Sequence, residues 1–168
     1  MAPVQINHFR FGLGIAGLAI IADQASKWWI LAFVMQPPQI IPVTPFFNIV
    51  LTWNRGISFG LFNDDGDFNA VILSVLAIAI VIYLLRWLYK AENRMMAAAL
   101  GLIIGGALGN VIDRALHRAV ADFLDFHLGG YHWPAFNGAD SFITVGAAIL
   151  ILDYLFARGR QRNNMDDA

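Results

Sequence analysis

Four long apolar runs divide the chain. They cover residues 11–34, 68–85, 95–112 and about 139–156, and each is close to the roughly 20 residues that an α-helix needs to cross a bilayer. The three later runs are short, but aromatic residues such as Tyr83, Trp87 and Tyr154 extend their ends, as is typical of the membrane–water interface. The pattern predicts a mainly α membrane protein, in which residues 1–168 form one domain with four transmembrane helices.

The composition of the chain agrees with a membrane location. Hydrophobic residues make up 58% of the 168 residues and charged residues only 14%, whereas about 25% of residues are charged in soluble proteins. Such a chain is not disordered. A net charge of -1 leaves no excess of Lys and Arg to neutralise nucleic-acid phosphates. The absence of cysteine excludes disulfides, thiolate metal sites and a cysteine nucleophile.

Basic residues lie mainly on one side of the predicted spans. Seven fall before the first span, between the second and third, and after the fourth: Arg10, Arg86, Lys90, Arg94, Arg158, Arg160 and Arg162. The connections on the other side, residues 35–67 and 113–138, contain only Arg55, Arg114 and Arg118. The positive-inside rule therefore predicts that both termini are cytoplasmic and that both long connections lie outside.

Two charged residues lie inside the first apolar run. Asp23 and Lys27 are four residues apart, so they share one helix face and can form an ion pair, which lowers the cost of placing charge in hydrocarbon. They also argue against a cleaved signal peptide, the alternative for this run, because the central region of a signal peptide is purely apolar. The pair either orients the first helix against the bundle or takes part in chemistry.

Glycines recur at close spacing in two of the runs. The sequence GLGIAG at residues 12–17 matches G-x-G-x-x-G, but no strand precedes it, so it is not a dinucleotide-binding motif. Gly101, Gly105 and Gly109 follow one another at four-residue spacing. We expect the glycines of both sets to let another helix pack closely.

The first external connection predicts a small sheet. Residues 39–62 are rich in Ile, Val, Phe and Thr, which favour strands. Pro42 and Pro45 would confine these strands to sheet edges, and Gly56 and Gly60 allow sharp bends. We expect a small, broken sheet or hairpin on the membrane surface, and an irregular loop is the alternative.

The second external connection concentrates ionisable residues. They are Asp113, Arg114, His117, Arg118, Asp122, Asp125, His127 and His132, accompanied by Asn110, Asn137 and Asp140. Imidazole and carboxylate groups suit zinc, but these histidines lack the helical spacing of a motif such as H-E-x-x-H. We therefore expect no metal and no other cofactor, and we expect the histidines to form hydrogen bonds at the membrane interface.

Two acids of this region have positions that suit catalysis. Asp122 follows the third span and Asp140 opens the fourth, so the predicted topology places both on the same side of the membrane. If they meet, one carboxyl stays protonated as a general acid while the other, charged, activates water, which is the chemistry of aspartic proteases. The alternative is that each acid is solvated or paired with a cation.

Five sequence blocks give the chain a family resemblance. They are DQASK at 23–27, WNRGISFG at 53–60, GGALGNVIDR at 105–114, VADF at 120–123 and FNGADSFITVG at 136–146. In this order and on four spans, they resemble the bacterial lipoprotein signal peptidases, also called signal peptidase II. The resemblance implies an intramembrane aspartyl endopeptidase that removes the signal peptide from diacylglyceryl-modified prolipoproteins, cutting before the lipidated cysteine of the lipobox. It also implies a small external β-cradle and a surface loop or helix beside the four helices.

The resemblance assigns roles to individual residues. It implies that Asp122 and Asp140 are the catalytic pair, with Asp125 as the fallback. The positions that correspond to the substrate groove or support the site are Asn54, Gly56, Arg114, Asn110, Asn137, Asp23 and Lys27.

Structural roles stay open for some of these residues. Asn54 also fits a turn and Asn110 a helix end. Asp113 with Arg114 also fits an ion pair at the membrane surface.

The partners expected from the resemblance are prolipoprotein signal peptides and membrane lipids, with no nucleic acid. The protein is expected to be a monomer in the bacterial cytoplasmic (inner) membrane, with its site near the external face. Two other functional classes stay open: a small proton-coupled transporter that relays protons through Asp23, Lys27 and Asp140, and a non-enzymatic assembly subunit.

Overall fold

The computed structural model describes residues 3–56 and 67–166 of the chain. In that part the chain forms four long helices and four strands. In chain order they are α1 (Pro3–Trp29), β1 (Ile41–Thr44), β2 (Phe47–Asn54), α2 (Asp67–Tyr89), α3 (Arg94–His117), β3 (Val120–Leu128), β4 (Tyr131–His132) and α4 (Gly138–Asp166). A π-helical turn, Ile30–Val34, extends α1 towards β1.

These elements confirm the predicted fold class, a bundle of four helices with a small antiparallel sheet. Three of the described helical segments are long and apolar enough to cross a membrane: Phe68–Tyr89, Arg94–His117 and Gly138–Leu155. α1 has 27 residues but is less apolar, because Asp23 and Lys27 interrupt its apolar sequence. Large apolar side chains are exposed on α1 and α2, such as Leu18 at 64% and Val75 at 62%, which suits helix faces that contact lipid.

α3 is the central helix and packs against each of the other three. A Cβ atom added to Gly105 would lie 2.6 Å from the carbonyl oxygen of Ala16 in α1, so only glycine allows this approach. The predicted close packing is confirmed at four glycines: Gly12, Gly101, Gly105 and Gly109. It is wrong for Gly14 and Gly17, which have open space around them because they lie on a different face of α1 from Gly12.

Two apolar clusters hold the elements together. Leu88, Leu100 and Ile104 are almost completely buried and join α1, α2 and α3 at the end of the bundle away from the sheet. At the other end, Ile30 and Phe123 pack β3 against the π-helical turn that follows α1. This cluster therefore anchors the sheet to the C-terminal end of α1.

The strands form one sheet in the order β1-β2-β3-β4, and every pairing is antiparallel. The predicted sheet is confirmed, and the alternative of an irregular loop is wrong, for residues 41–54, which form β1, a turn and β2. Pro42 lies in the edge strand β1, as predicted. Residues 57–62, the rest of the predicted segment, lie outside the described residues.

The second external connection, residues 113–138, also contains two strands, β3 and β4, which its sequence pattern does not predict. β3 pairs with β2 so that Asp122 is the partner of Thr52 and Asp125 the partner of Asn48. The first four residues of β3 are all buried, including Asp122. A strand that buries an acid does not show the simple alternation of apolar and polar residues by which strands are recognised. The sequence pattern of β3 therefore does not predict a strand.

Candidate active site

Asp122 and Asp140 come from two elements that meet at one end of the bundle. Asp122 is in β3 and only 2% exposed, while Asp140 lies in the first turn of α4. Asn137, directly before α4, binds both residues. Its Nδ2 donates to Asp122 Oδ1 over 2.7 Å, and its backbone N–H donates to Asp140 Oδ2 over 3.3 Å. The two carboxylates are thus held by one shared donor residue.

Asn137 also caps the N-terminus of α4. Its Oδ1 accepts a hydrogen bond from the backbone N–H of Asp140 over 3.0 Å, while Asp140 Oδ2 accepts one from the backbone N–H of Asn137. This reciprocal pattern is that of a capping box, which fixes the first turn of a helix. A helix N-terminus also stabilises negative charge near it. The sequence N-G-A-D at 137–140 therefore both starts α4 and holds the Asp140 carboxylate in place.

Asp122 lies in an environment that disfavours its charge. Burial above all, together with the negative charge of Asp140, raises the pKa of Asp122 to about 6, although hydrogen bonds from Asn54 and Asn137 favour the charged form. Asn54 Nδ2 donates to Asp122 Oδ2 over 3.0 Å, and Asn54 Oδ1 accepts a hydrogen bond from the backbone N–H of Gly56 over 3.1 Å. Asn54 therefore combines the turn that its sequence suggests with a contact to the carboxyl.

Asn110 in α3 supports the second carboxylate. Its Nδ2 donates to Asp140 Oδ1 over 2.8 Å. Its Oδ1 accepts from Lys27 Nζ over 3.1 Å and from Asn137 Nδ2 over 3.3 Å. Because Asn110 Oδ1 accepts two hydrogen bonds, the side-chain amide is held in one orientation. In this orientation Asn110 Nδ2 faces the Asp140 carboxylate.

The predicted ion pair of Asp23 and Lys27 is confirmed and belongs to a larger network. Lys27 Nζ lies 2.8 Å from Asp23 Oδ2 and 2.7 Å from Asp113 Oδ2, and all three side chains are buried. Asp23 Oδ1 accepts a hydrogen bond from the backbone N–H of Ala139 over 2.8 Å. Gln24 donates to Asp113 Oδ1 over 2.9 Å. The network therefore joins α1, α3 and the first turn of α4 behind the two aspartates.

Asp113 differs most from its expected position. It is 3% exposed and forms its salt bridge with Lys27, so it is not part of an ion pair at the membrane surface. The sequence does indicate that Asp113 lies on the same helix face as Asn110, because the two residues are three positions apart.

Arg114 lies beside the site and is half-buried. It interacts electrostatically with Asp140, Asp122 and Asp113, and its Nη1 donates to the backbone oxygen of Asn110 over 3.4 Å. Its buried Nε atom has no hydrogen-bond partner among the described residues. The guanidinium thus provides positive charge and an unused donor next to the pair.

Asp125 has separate partners. Successive residues of a strand point to opposite faces, so Asp125 faces away from Asp122. It accepts hydrogen bonds from Asn48 Nδ2 and pairs with His132 Nδ1, each over 2.8 Å. Although burial raises the pKa of Asp125, the bonds from His132 and Asn48 outweigh this effect and lower it below its usual value.

The histidines of this region pack against rings instead of meeting at one point. The His117 ring is tilted by 53° against that of Trp53, with 5.2 Å between the ring centroids, and His127 stacks on His132 at 4.9 Å. Within residues 3–56 and 67–166, no three His, Asp or Glu side chains form a group that can hold a metal ion.

Comparison with known proteins links this geometry to a family. The family model described as "Signal peptidase (SPase) II" matches residues 15–156. A lipoprotein signal peptidase of Methylorubrum extorquens (strain PA1) is 48% identical over 151 residues, covering 88% of this chain and 86% of that protein. One from Methylocella silvestris is 43% identical over 150 residues, covering 88% of each chain.

A solved structure has the same fold. It is described as a bacterial membrane enzyme, and it superimposes with a TM-score of 0.77 at 34% identity, covering 89% of this chain and 90% of that chain. The membrane location expected from the apolar runs is therefore confirmed.

Proposed function

The chain belongs to the signal peptidase II family, and we propose that Asp122 and Asp140 are its catalytic pair. It is an aspartic endopeptidase of the membrane and removes the signal peptide from prolipoproteins, as the names of its relatives indicate. These relatives give no support to the alternative of a proton-coupled transporter.

One observation carries the assignment of the pair. Asn137 donates hydrogen bonds to carboxylates from two different elements, β3 and α4. The two carboxyls also interact electrostatically, and Asp140 contributes to the raised pKa of Asp122. A carboxyl with a raised pKa is suited to act as the acid of such a pair. Asp125, the fallback, is bound to Asn48 and His132 on the other side of β3. We therefore place catalysis at Asp122 and Asp140.

The proposed reaction begins with the proton on Asp122, whose pKa is about 6, and with Asp140 charged. A water molecule gives a proton to the Asp140 carboxylate while its oxygen adds to the scissile carbonyl carbon. At the same time Asp122 donates its proton to the carbonyl oxygen, which produces a gem-diol.

Collapse of the gem-diol completes the reaction. The C–N bond breaks as Asp140 passes its proton to the leaving nitrogen, and one hydroxyl of the diol returns a proton to Asp122. The products are a carboxylic acid and an amine, both aspartates regain their initial protonation, and the chain's own side chains provide every proton transfer.

The other residues of the site have supporting roles in this proposal. Asn54, with the turn at Gly56, and Arg114 line the groove in which the substrate lies. The charge of Arg114 acts on both carboxylates. Asn110 and Asn137 orient the two carboxylates.

The proposed setting is one membrane domain, residues 1–168, that acts as a monomer in the bacterial inner membrane. The excess of basic residues on one side supports cytoplasmic termini and a site at the external face. The precursor is diacylglyceryl-modified, so its acyl chains stay in the bilayer while the peptide bond before the lipidated cysteine lies between the aspartates.

The test is cleavage of a purified diacylglyceryl-modified precursor by the purified protein in detergent, with a chelator present. We expect cleavage directly before the lipidated cysteine, read from the mass of the new N-terminus. The same precursor without its lipid should be cut about 100-fold more slowly, because binding energy from the lipid is lost.

The control is a double variant, Asp122→Asn with Asp140→Asn, which gives the background rate. Equal cleavage of lipidated and unlipidated precursor would contradict the proposed substrate. If the folded protein cuts neither precursor but carries protons across liposome membranes, the transporter alternative is correct.

A further inference from the structure

An apolar groove lies between α1 and α2 at the end of the bundle opposite the aspartates. It has a volume of about 450 Å³ and is lined by Phe9, Ile82, Leu85, Arg86, Tyr89 and Lys90. Phe9 and Tyr89 close one part of it through an edge-to-face contact, with 5.8 Å between the ring centroids. The rest of its wall is open, since Ile82 is 49% exposed. The groove is thus accessible from the surface that a bilayer covers.

Two cations lie at one end of this groove. Arg86 and Lys90 are one helical turn apart and are both exposed. They follow the apolar part of the segment Phe68–Tyr89, which is long enough to cross a membrane, so they lie at the depth of lipid headgroups. In the described part of the chain, neither cation takes part in an ion pair. Like charges at this spacing repel each other, and a bound anion removes that cost.

We propose that this groove binds one anionic phospholipid of the membrane. Its phosphate lies between Arg86 and Lys90, because a guanidinium binds two phosphate oxygens at once and an ammonium adds a second charge. One acyl chain lies along Phe9, Ile82 and Leu85, whose surfaces are apolar. A zwitterionic lipid fits the apolar wall equally well but brings no net negative charge to the two cations.

The site is separate from the aspartates and stands independently of the proposed function. Basic pockets between transmembrane helices on the cytoplasmic side bind anionic lipid headgroups in general, and this groove has the same chemistry. The occupant is a bilayer lipid and not free phosphate, because most of the groove wall is apolar.

The test is native mass spectrometry of the full-length protein in detergent, titrated with phosphatidylglycerol or with phosphatidylcholine of the same acyl chains. We expect one phosphatidylglycerol to be retained at concentrations roughly 10- to 30-fold below those needed for phosphatidylcholine. Inorganic phosphate should not displace it. Equal retention of the two lipids by the wild-type protein, or displacement by phosphate, would overturn the proposal without any variant.

Two variants locate the lipid. Arg86→Gln with Lys90→Gln should abolish the preference for phosphatidylglycerol, and Ile82→Trp should weaken binding by filling the groove while leaving the cations. The matched control is Arg10→Gln with Arg94→Gln, which removes two cations at the same end that do not line the groove. If this control loses the preference as fully as the Arg86 and Lys90 variant, the preference comes from general surface charge and the proposal is wrong.

Discussion

The Asp122 carboxyl is buried between two asparagine amides and near a second carboxylate, which determines the pH dependence that we expect of catalysis. In the proposed reaction Asp122 must carry a proton. Because its pKa is about 6, the protonated fraction is nearly complete well below pH 6 and falls about tenfold per unit well above it. We expect kcat/KM for the lipidated precursor to fall with rising pH, with the midpoint of this descending limb near pH 6. The apparent pKa read from the limb describes the pair of acids, because their titrations are coupled.

Replacing Asn54 tests whether the pair that contains Asp122 controls this pH dependence. The hydrogen bond from Asn54 favours the charged form and lowers the pKa of Asp122, so Asn54→Ala should move the limb to higher pH. Asp125→Asn, on the other face of β3, is the control and should leave the limb in place. A limb that stays at the same pH in Asn54→Ala, or moves with Asp125→Asn, would show that another group controls it.

The sequence identifies single residues unevenly. Asp122 and Asp140 are proposed as the pair from the resemblance of their motifs, whereas spacing alone favours acids that are solvated or paired with a cation. The shared role of Asn137 depends on a capping box and a strand that approach each other only in the folded chain. Asp113 has the same helix face as Asn110, but its partner Lys27 is 86 positions away in another helix, and no local pattern gives that contact.

Three helices are connected through the ammonium of Lys27. It bonds to Asp23 in α1 and to Asp113 and Asn110 in α3, and Asn110 in turn donates to Asp140 in α4. Lys27→Met would leave two buried carboxylates without a cation, at a cost of about 3–5 kcal/mol of folding stability. We therefore expect a clear fall in the thermal unfolding midpoint and a loss of activity.

A triple variant separates stability from positioning. Lys27→Met with Asp23→Asn and Asp113→Asn removes the cation and its carboxylates together, so stability should largely return. The amide of Asn110 still lacks one of its two donors, and kcat should stay about 10- to 100-fold low with KM little changed, because small misplacements of catalytic groups are costly. A triple variant with full kcat would show that Lys27 acts only through charge balance.

At the level of elements, hydropathy predicts the helices well and the sheet only in part. Long apolar runs appear directly in the sequence because lipid requires them. β1 and β2 are signalled by β-branched and aromatic residues, but β3 is not, because it buries acids that bond to Asn54, Asn137 and Asn48. Asp122, one of the two acids that break the usual pattern of β3, is a residue of the candidate site.

At the scale of the whole molecule, the proposed catalytic pair and the proposed lipid groove lie at opposite ends of one bundle. α3 packs against all three other helices, and closely approached glycines lie in its contacts with α1 and α4. The ion network holds α1, α3 and the first turn of α4 together beside the site. The aspartates thus lie on rigid elements, which favours the accurate positioning that a catalytic pair needs.

The decisive measurement is turnover of the lipidated precursor by three single variants of equal folding: Asp122→Asn, Asp140→Asn and Asp125→Asn. All three replace one carboxyl group by an amide of nearly the same size at the same end of the molecule. We expect the first two each to lower kcat by at least about 1,000-fold, since neither half of an acid–base pair works without the other, and Asp125→Asn to retain most of its turnover. Near-normal turnover in Asp122→Asn or Asp140→Asn would show that the pair is wrongly assigned, and a loss in Asp125→Asn alone would move catalysis to the other face of β3.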